Sequence, residues 1–330
     1  MNPPGDVDAA LDAWGLPRPR LVTKAKGGYQ NATHFVSCDT GDFVLRIHTN
    51  VVEPAKQRFE HELLQRLAAA ELSFAVPRPL PSDDGDTLRV VDGRLAALFA
   101  RIPGEPLGKD GGQYLDRAAA ALAELDMAFA AFDQFDHRPP VFDGDLARVH
   151  PLLDDLDEAV RESGLTPDAG RALRSGLERT AALATPLYAS LPQQVTHGDF
   201  AFGNTLVRGG RVTGLLDFEV AGIDVRAMDL AVGLYRFPAH EDALGQCEIF
   251  GRGYSSVLAL DPTEIAALPA LLELRAGVSL VHWIGRMRAG LATIEDVRPR
   301  AGRALFTYEW VRDNGPELVH RAMGWIGERV

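Results

Sequence analysis

The sequence predicts an α+β protein of two lobes: a small lobe of antiparallel sheet with one main helix, and a larger, mostly helical lobe. Two patterns predict this fold class. The first hundred residues contain short strand-like runs separated by turns that hold Gly and Asp. After a connector rich in Pro and Gly at 102–108, the chain becomes rich in Ala and Leu with helical spacing. We therefore expect one lobe over residues 1–101 and the other over 102–330.

The predicted small lobe opens with a short amphipathic helix at 7–15 and continues as a β-meander. A convincing helix follows at 54–71, because Pro54 suits a first helical turn and apolar residues then recur at helical spacing. Val76-Pro-Arg-Pro79 favours an extended segment. The predicted strands are Leu21–Lys26, Thr33–Cys38, Phe43–His48, Thr87–Val91 and Arg94–Phe99.

The predicted large lobe is a series of helices. Asp261-Pro262-Thr263-Glu264 is a good helix start, with an N-cap Asp, Pro at the first position and a reciprocal Glu. The helices are expected at 113–133, 151–162, 167–188, 226–236, 241–258, 263–290 and 301–329.

Composition restricts the classes of function. The chain has 330 residues, 46% of them hydrophobic, and a net charge of −12. A general binder of nucleic acid or of anionic membranes would need a basic surface, so neither is expected as a partner. Two distant cysteines, Cys38 and Cys247, fit free thiols in a reducing compartment. The N-terminus lacks a signal-peptide pattern and no apolar run approaches the length needed to span a bilayer, so we expect a soluble cytoplasmic protein.

A polar loop and a predicted hairpin carry the chemistry. His197 and Asp199 precede Asn204 by seven and five residues, and Asp217 follows a short apolar strand, a tight turn at 208–211 and a second strand. The turn would bring Asn204 and Asp217 to the same end of the hairpin. Phosphoryl transfer needs mainly positioning and charge neutralisation. Asp199 would accept the proton of an acceptor hydroxyl, while Asn204 and Asp217 would supply oxygen ligands to Mg²⁺.

An ordinary reading of the same residues is a His-Gly-Asp turn followed by a strand-end Asp. Either part alone would favour that reading, whereas the joint spacing of His197, Asp199, Asn204 and Asp217 favours a kinase site. No GxxxxGK[ST], GxSxG or HExxH pattern is present in the sequence.

The loop resembles that of the protein-kinase-like fold in aminoglycoside phosphotransferases, choline kinases and type II homoserine kinases. The matching residues are His197-Gly198-Asp199, Asn204, and Leu216-Asp217-Phe218-Glu219. Protein kinases would usually have Arg at position 198 and Gly at 219, so the pattern indicates a small-molecule kinase. The resemblance implies that Asp229, in Asp229-Leu230-Ala231, supports the loop structurally, that His197 braces it, and that Asp224 has a similar supporting role.

The resemblance also implies a nucleotide-binding site in the small lobe. Gly27 and Gly28, with Asn31, fit a glycine-containing loop over the phosphates, and Arg46 takes the place of the phosphate-binding Lys. A Glu of the next helix should pair with Arg46; Glu60 fits best, with Glu62 as the competitor.

The connector is expected to bind adenine through backbone groups of Phe99, Ala100 and Arg101. Trp283 and Arg286 share a helix face and could line the acceptor pocket, although core packing and a surface charge are the safer interpretations.

The implied activity is transfer of the γ-phosphate of ATP, with Mg²⁺, to a small hydroxyl-bearing acceptor. Gly-Gly-x-x-Asn at 27–31 and Val-Leu-Arg-Ile at 44–47 most resemble homoserine-kinase-like members. Aminoglycoside, amino-sugar, choline and methylthioribose kinases share the chemistry. A pseudokinase that binds nucleotide or a partner without turnover is the non-enzyme alternative.

Overall fold

The computed structural model describes residues 7–25, 31–48, 53–91, 93–108 and 111–326. The chain divides into two compact units. The first consists of the described residues of 1–109, 132–140 and 202–219, and the second of those of 110–131, 141–201 and 220–330. The fold class is α+β, as the sequence predicts.

The strands and helices follow in chain order. The strands are β1 (Leu21–Lys24), β2 (Asn31–Cys38), β3 (Gly41–His48), β4 (Arg89–Val91), β5 (Arg94–Ala100), β6 (Glu105–Pro106), β7 (Gln193–Thr196), β8 (Thr205–Arg208), β9 (Arg211–Leu215) and β10 (Gly222–Val225). The helices are α1 (Val7–Ala10), α2 (Pro54–Ala68), α3 (Leu115–Phe129), α4 (Leu156–Arg161), α5 (Pro167–Ser190), α6 (Ala227–Leu234), α7 (Ala243–Ser255), α8 (Pro262–Arg288) and α9 (Ile294–Ile326).

The first unit contains an antiparallel sheet with strand order β1-β2-β3-β5-β4. Its two longest strands, β2 and β3, pair in register from Asn31 opposite His48 to Cys38 opposite Gly41. One apolar cluster is fully buried around this sheet; its members are Leu11, Val36, Leu45, Ile47, Ala96 and Leu98. The apolar face of α2 is equally buried, with Phe59, Leu63, Leu64 and Leu67 at 0–1% exposure. The predicted order of three strands, one helix and two strands is therefore confirmed.

The hairpin β8–β9 lies in the first unit. Its turn residues Gly209 and Gly210 have φ of 58° and 80°, a pair of positive values that glycine adopts without strain. β8 pairs with β6, with Glu105 opposite Val207, and the backbone of Ala75 exchanges hydrogen bonds with β9. These pairings explain why the unit extends past the predicted boundary at residue 101 and includes residues 202–219.

The second unit is mostly helical, and its longest helices, α8 and α9, pack against each other. A two-stranded antiparallel sheet of β7 and β10 places Thr196 opposite Gly222. The sequence did not predict β7 and β10, because each has only four residues and no clear alternation of apolar and polar side chains.

Two predicted helix boundaries and one prediction about membrane spanning need correction in the second unit. The helix expected at 151–162 begins at Leu156, because the side chain of Asp155 caps it by accepting from the N–H of Asp157. The helix expected at 301–329 begins at Ile294 and runs through Pro299 and Pro316. Helix α8 is long and apolar enough by composition to cross a membrane, contrary to the prediction, but 61% of that stretch is buried inside the protein. The burial indicates a core helix.

Candidate active site

The His-Gly-Asp turn in the second unit is held by a buried carboxylate. Asp229, at the start of α6, accepts hydrogen bonds from the backbone N–H groups of His197 (2.6 Å) and Gly198 (2.8 Å). Gly198 has φ 75°, and a Cβ atom there would lie 3.2 Å from the carbonyl oxygen of Val220. Both observations indicate a tightly fixed turn that requires glycine. Asp229 therefore contacts the turn through two backbone hydrogen bonds.

A second buried carboxyl supports Asp229 from behind. Asp126 on α3 is fully buried, forms a side-chain hydrogen bond with Asp229, and accepts a hydrogen bond of 2.5 Å from the hydroxyl of Tyr254. Burial, followed by the charge of Asp229, raises the pKa of Asp126 well above its usual range. Two carboxyl groups can share such a bond only if one keeps its proton. We therefore assign the proton to Asp126, which donates it to Asp229.

Asp199 is the exposed member of this loop. Its side chain is 40% exposed, and Oδ1 accepts a hydrogen bond of 2.7 Å from Nη2 of Arg275 on α8. Nη1 of the same arginine donates to the carbonyl oxygen of Gly198 at 3.2 Å. The backbone N–H of Asp199 donates to Nδ1 of the buried His197 at 3.2 Å, so His197 braces the turn from inside. The carboxylate is thus fixed in direction yet open to a ligand.

Asp224 has a different position from the one the sequence suggested. It accepts hydrogen bonds from the hydroxyl of Tyr188 at 2.5 Å and from the N–H of Val225 at 2.7 Å. Burial raises its pKa to about 7. Asp224 therefore links β10 to helix α5 through Tyr188, whereas Asp229 binds the backbone of the His197–Gly198 turn.

Arg46 forms the centre of a charged cluster in the first unit. Arg46 lies on β3 and donates hydrogen bonds to Oε1 of Glu60 on α2 at 2.7 Å and to Oε1 of Glu219 at 2.8 Å. Its guanidinium lies 4.6 Å from the ring centre of Phe99. Arg46 therefore pairs with Glu60. Glu62 instead accepts hydrogen bonds from the segment at 136–137 and from Arg66.

The same cluster carries more negative than positive charge. Burial would lower the pKa of Arg46, but Glu60 and Glu219 outweigh it and raise that pKa. Burial raises the pKa of Glu60; Arg46 opposes this, while Glu219 and Asp217 raise it further. Glu60 and Glu219 thus share one guanidinium, and the charge of Asp217 acts on Glu60 as well. An added cation would relieve this imbalance.

Asn31 lies at the edge of the cluster, where β2 begins. Its Nδ2 atom donates to Oε1 of Glu219. The Oδ1 atom of Asn31 and the Oε2 atom of Glu60 are buried and lack a hydrogen-bond partner among the described residues. Buried polar atoms are usually satisfied, so these two suit a ligand or water. Gly27 and Gly28, predicted to cover the phosphates, lie outside the described residues.

Asn204 and Asp217 stand at the open end of the β8–β9 hairpin. Asn204 directly precedes β8, and its carbonyl oxygen accepts a hydrogen bond of 2.8 Å from the N–H of Leu216. Asp217 has φ 72°, a left-handed conformation that is rare for residues other than glycine and common at functional sites. The hairpin therefore brings the two predicted metal ligands to one end.

An amide oxygen and a carboxylate are ligands that Mg²⁺ accepts, and the surplus negative charge beside Asp217 favours a divalent cation. In the described part of the chain no group of three or more His, Cys, Asp and Glu could hold a metal by itself. The donor set thus fits a metal that keeps waters or shares phosphate oxygens, as Mg²⁺ does in kinases.

The predicted adenine segment already uses two of its backbone donors. The N–H of Ala100 donates to the carbonyl oxygen of Arg78 at 3.3 Å, and that of Arg101 to Asp42 at 3.0 Å. Phe99 instead contributes its ring to Arg46. An adenine here would have to use carbonyl groups or the N–H groups after Arg101. A cavity of about 340 Å³ lined in part by Ala100 and Arg101 does not include Arg46.

The sequence-based reasoning missed two residues of these clusters. Glu219 stands in the sequence as part of the Leu-Asp-Phe-Glu pattern, and its position two residues after Asp217 could have suggested contact with the charged cluster around Arg46. Arg275 had no local signal, because it lies 76 residues after Asp199 in a long helix. Of the proposed pocket residues, Trp283 stacks with Arg286 at 5.1 Å and with Arg300 at 3.3 Å from its ring centre.

Comparisons with known proteins identify the family of this chain. Residues 22–268 match the model of the phosphotransferase enzyme family. A homoserine kinase from Rhizobium etli is 31% identical over 271 residues, covering 81% of this chain and 80% of the relative. A homoserine kinase from Gluconobacter oxydans is 29% identical over 276 residues, covering 82% of this chain and 84% of the relative.

Solved structures show the same fold at low sequence identity. A microcompartment-associated aminopropanol kinase aligns with TM-score 0.70 at 18% identity, over 95% of this chain and 98% of its own. The amicoumacin kinase hAmiN, in complex with AMP-PNP, Ca²⁺ and Ami, aligns with TM-score 0.67 at 15% identity, over 93% of this chain and 92% of its own. The chain therefore belongs to the phosphotransferase enzyme family, as a small-molecule kinase of the protein-kinase-like fold with a hydroxyl acceptor.

Proposed function

We propose that this kinase transfers the γ-phosphate of ATP, with Mg²⁺, to the hydroxyl group of homoserine or a closely similar acceptor. The named relatives that cover four fifths of the chain are homoserine kinases, which favours that acceptor over aminoglycosides. The observation that carries the proposal is the carboxylate of Asp199, which is fixed by its neighbours and exposed. Because the proposed acceptor is a small metabolite, we propose that the enzyme acts in the cytoplasm.

Asp199 is proposed as the residue that orients the acceptor hydroxyl and receives its proton. The turn that carries it is fixed at His197 and Gly198 by Asp229, and the carboxylate itself is held by Arg275. A general base must lie within hydrogen-bond distance of its proton in a stable orientation. The contact with Arg275 holds the carboxylate of Asp199 in one orientation.

Asn204 and Asp217 are proposed to hold Mg²⁺. When bound, the metal neutralises negative charge on the phosphate oxygens and so favours transfer. The left-handed backbone of Asp217 and the hydrogen bond from Leu216 to Asn204 set the positions of the two side chains. Glu219, two residues on, ties the hairpin to Arg46.

Arg46 is proposed to bind phosphate oxygens of the nucleotide. Glu60 and Glu219 hold its guanidinium, and the ring of Phe99 covers one face. Arginine presents a planar fork of donors, so its remaining N–H groups can meet a phosphate in a fixed geometry. The amide of Asn31, whose Oδ1 atom lacks a described partner, lies beside this fork through their shared bond to Glu219.

The proposal is tested with Asp199→Asn, which keeps the size of the side chain and removes its charge. We expect kcat for ADP release with homoserine to fall by about 10²- to 10⁴-fold, because a general base contributes that much. ATP binding measured by calorimetry should be unchanged. Asp313→Asn, on the exposed surface of α9, serves as the matched control. Wild-type kcat in Asp199→Asn would refute the assigned role, and no turnover by the wild type with any hydroxyl compound would favour the pseudokinase alternative.

A further inference from the structure

Four arginines surround one tyrosine in the second unit. Tyr235 follows α6 and is 7% exposed. Burial raises the pKa of its hydroxyl, while four positive charges act on it in the opposite direction; they belong to Arg303, Arg275, Arg236 and Arg300. Arg303 also donates to the carbonyl oxygen of Tyr235 at 2.8 Å and lies 4.4 Å from its ring centre. We call these four residues the arginine cluster.

Positive charge is concentrated in the arginine cluster, in a chain whose net charge is −12. Asp199 pairs with Arg275, and Asp296 interacts with Arg300. Burial lowers the pKa of Arg236 to about 10; Asp199 opposes this, and Arg275 and Arg303 lower it further. Mutual repulsion of this kind is relieved when an anion binds.

Hydrogen-bonding capacity in the cluster is also incompletely used. The Nε atoms of Arg236 and Arg275 are buried and have no hydrogen-bond partner among the described residues. Arg275 is 20% exposed and Arg303 is exposed, so a ligand can reach the cluster from solvent. Guanidinium groups bind carboxylates and phosphates through paired, charge-assisted hydrogen bonds.

We propose that the arginine cluster binds a carboxylate of the acceptor and thereby selects hydroxy acids over purely cationic hydroxyl compounds. The inference rests on the proposed function, because it gives Asp199 the role of the base. Arg275 contacts Asp199 directly. An acceptor that binds the cluster through its carboxylate therefore has its hydroxyl near Asp199 if a few bonds separate the carboxylate from the hydroxyl. A polycationic acceptor would instead meet repulsion from the four arginines.

The alternative anion is the phosphate being transferred. That phosphate already has assigned partners in Arg46, Asn204 and Asp217. The arginine cluster, in contrast, comes from α8, α9 and the residues after α6, and includes the residue that holds the base. The two possibilities are distinguished by removing one positive charge from the cluster and measuring whether KM rises for the acceptor or for ATP.

The first measurement compares homoserine with 3-aminopropan-1-ol, which has the same hydroxyl and amine but no carboxylate. We expect the wild type to use homoserine with a kcat/KM about 10- to 100-fold higher, the size of effect that a charge-assisted hydrogen bond produces. Equal kcat/KM for both, with turnover present, would overturn the inference while leaving the proposed kinase function intact. An absence of turnover with every acceptor would refute the proposed function and the inference with it.

The second measurement uses Arg303→Gln, which keeps a donor for the carbonyl of Tyr235 and removes the charge. KM for homoserine should rise about 10-fold, KM for 3-aminopropan-1-ol should change less than about 3-fold, and KM for ATP should stay constant. Arg312→Gln, on the same helix and 69% exposed, is the matched control. A fall in kcat of the same factor with both acceptors, or a higher KM for ATP, would assign the cluster to the transferred phosphate and overturn the proposal.

Discussion

Replacing Asp126 with asparagine tests whether this buried carboxyl keeps its proton in the folded protein. Asp126 lies behind Asp229, which in turn holds the turn that carries Asp199. The amide of asparagine can donate to Asp229 as a protonated carboxyl does, and its oxygen can still accept from Tyr254. The variant therefore preserves the hydrogen bonds and removes only the titration.

The magnitude follows from proton linkage. Burial first, and the charge of Asp229 second, raise the pKa of Asp126 in the folded state. Above the ordinary pKa of about 3.9, the unfolded chain releases this proton and the folded protein keeps it, so the free energy of unfolding falls as pH rises. The loss is about 1.4 kcal/mol per pH unit while the proton stays, or about 2.7 kcal/mol between pH 5 and pH 7. That is a large part of a typical stability of about 5–15 kcal/mol.

The assay is urea unfolding of the wild type and Asp126→Asn at pH 5, 6 and 7. We expect the variant to gain stability relative to the wild type by about 1.4 kcal/mol with each unit, while its kcat at pH 7 stays within about 3-fold. Asp224, whose pKa is also raised, titrates in both proteins and cancels in the difference. If the difference in free energy of unfolding between the two proteins stays constant from pH 5 to pH 7, Asp126 is ionised in the folded protein. The assignment of a shared proton to Asp126 would then be wrong.

Two further predictions concern the charged cluster and the fixed turn. Arg46→Met leaves Glu60, whose side chain is 3% exposed, without its cation. We expect the free energy of unfolding to fall by about 3–5 kcal/mol and KM for ATP to rise. Adding Glu60→Gln to this variant should restore part of the stability, because it removes the unpaired charge. An undiminished melting temperature in Arg46→Met would contradict the buried pair. Gly198→Ala forces a side chain into φ 75° beside Val220, at a cost of about 1–2 kcal/mol, and should lower kcat about 10- to 100-fold by displacing Asp199. Gly203→Ala, in the same loop with open space around it, should keep the wild-type rate; equal losses in both variants would refute the special role of Gly198.

Local patterns were enough to predict much of the fold and part of the site. Helix α2 combines a Pro at its first position with a continuous apolar face, and the hairpin turn at Gly209-Gly210 needs two positive φ values. The resemblance to small-molecule kinases implies the pairing of Arg46, on a strand, with Glu60, on the next helix, and these two side chains do pair. These features depend on residues close in sequence, where spacing determines the geometry.

The features that could not be predicted depend on tertiary contacts. Arg275 meets Asp199 only because α8 packs in the second unit, and nothing near residue 275 indicates that neighbour. Strands β7 and β10 form because they pair with each other, since their own residues do not alternate clearly. Helix α9 passes through two prolines because packing against α8 outweighs the local cost.

The discontinuity of the first unit has a consequence for how the protein is made. Glu219 accepts from Asn31 and Arg46, across 188 and 173 residues of sequence. During synthesis from the N-terminus, the sheet of β1 to β5 emerges long before residues 202–219 can join it. Until then Arg46 has Glu60 as its carboxylate partner, and β6 lacks its partner strand β8. The charged cluster around Arg46 is therefore completed only after residue 219 has left the ribosome.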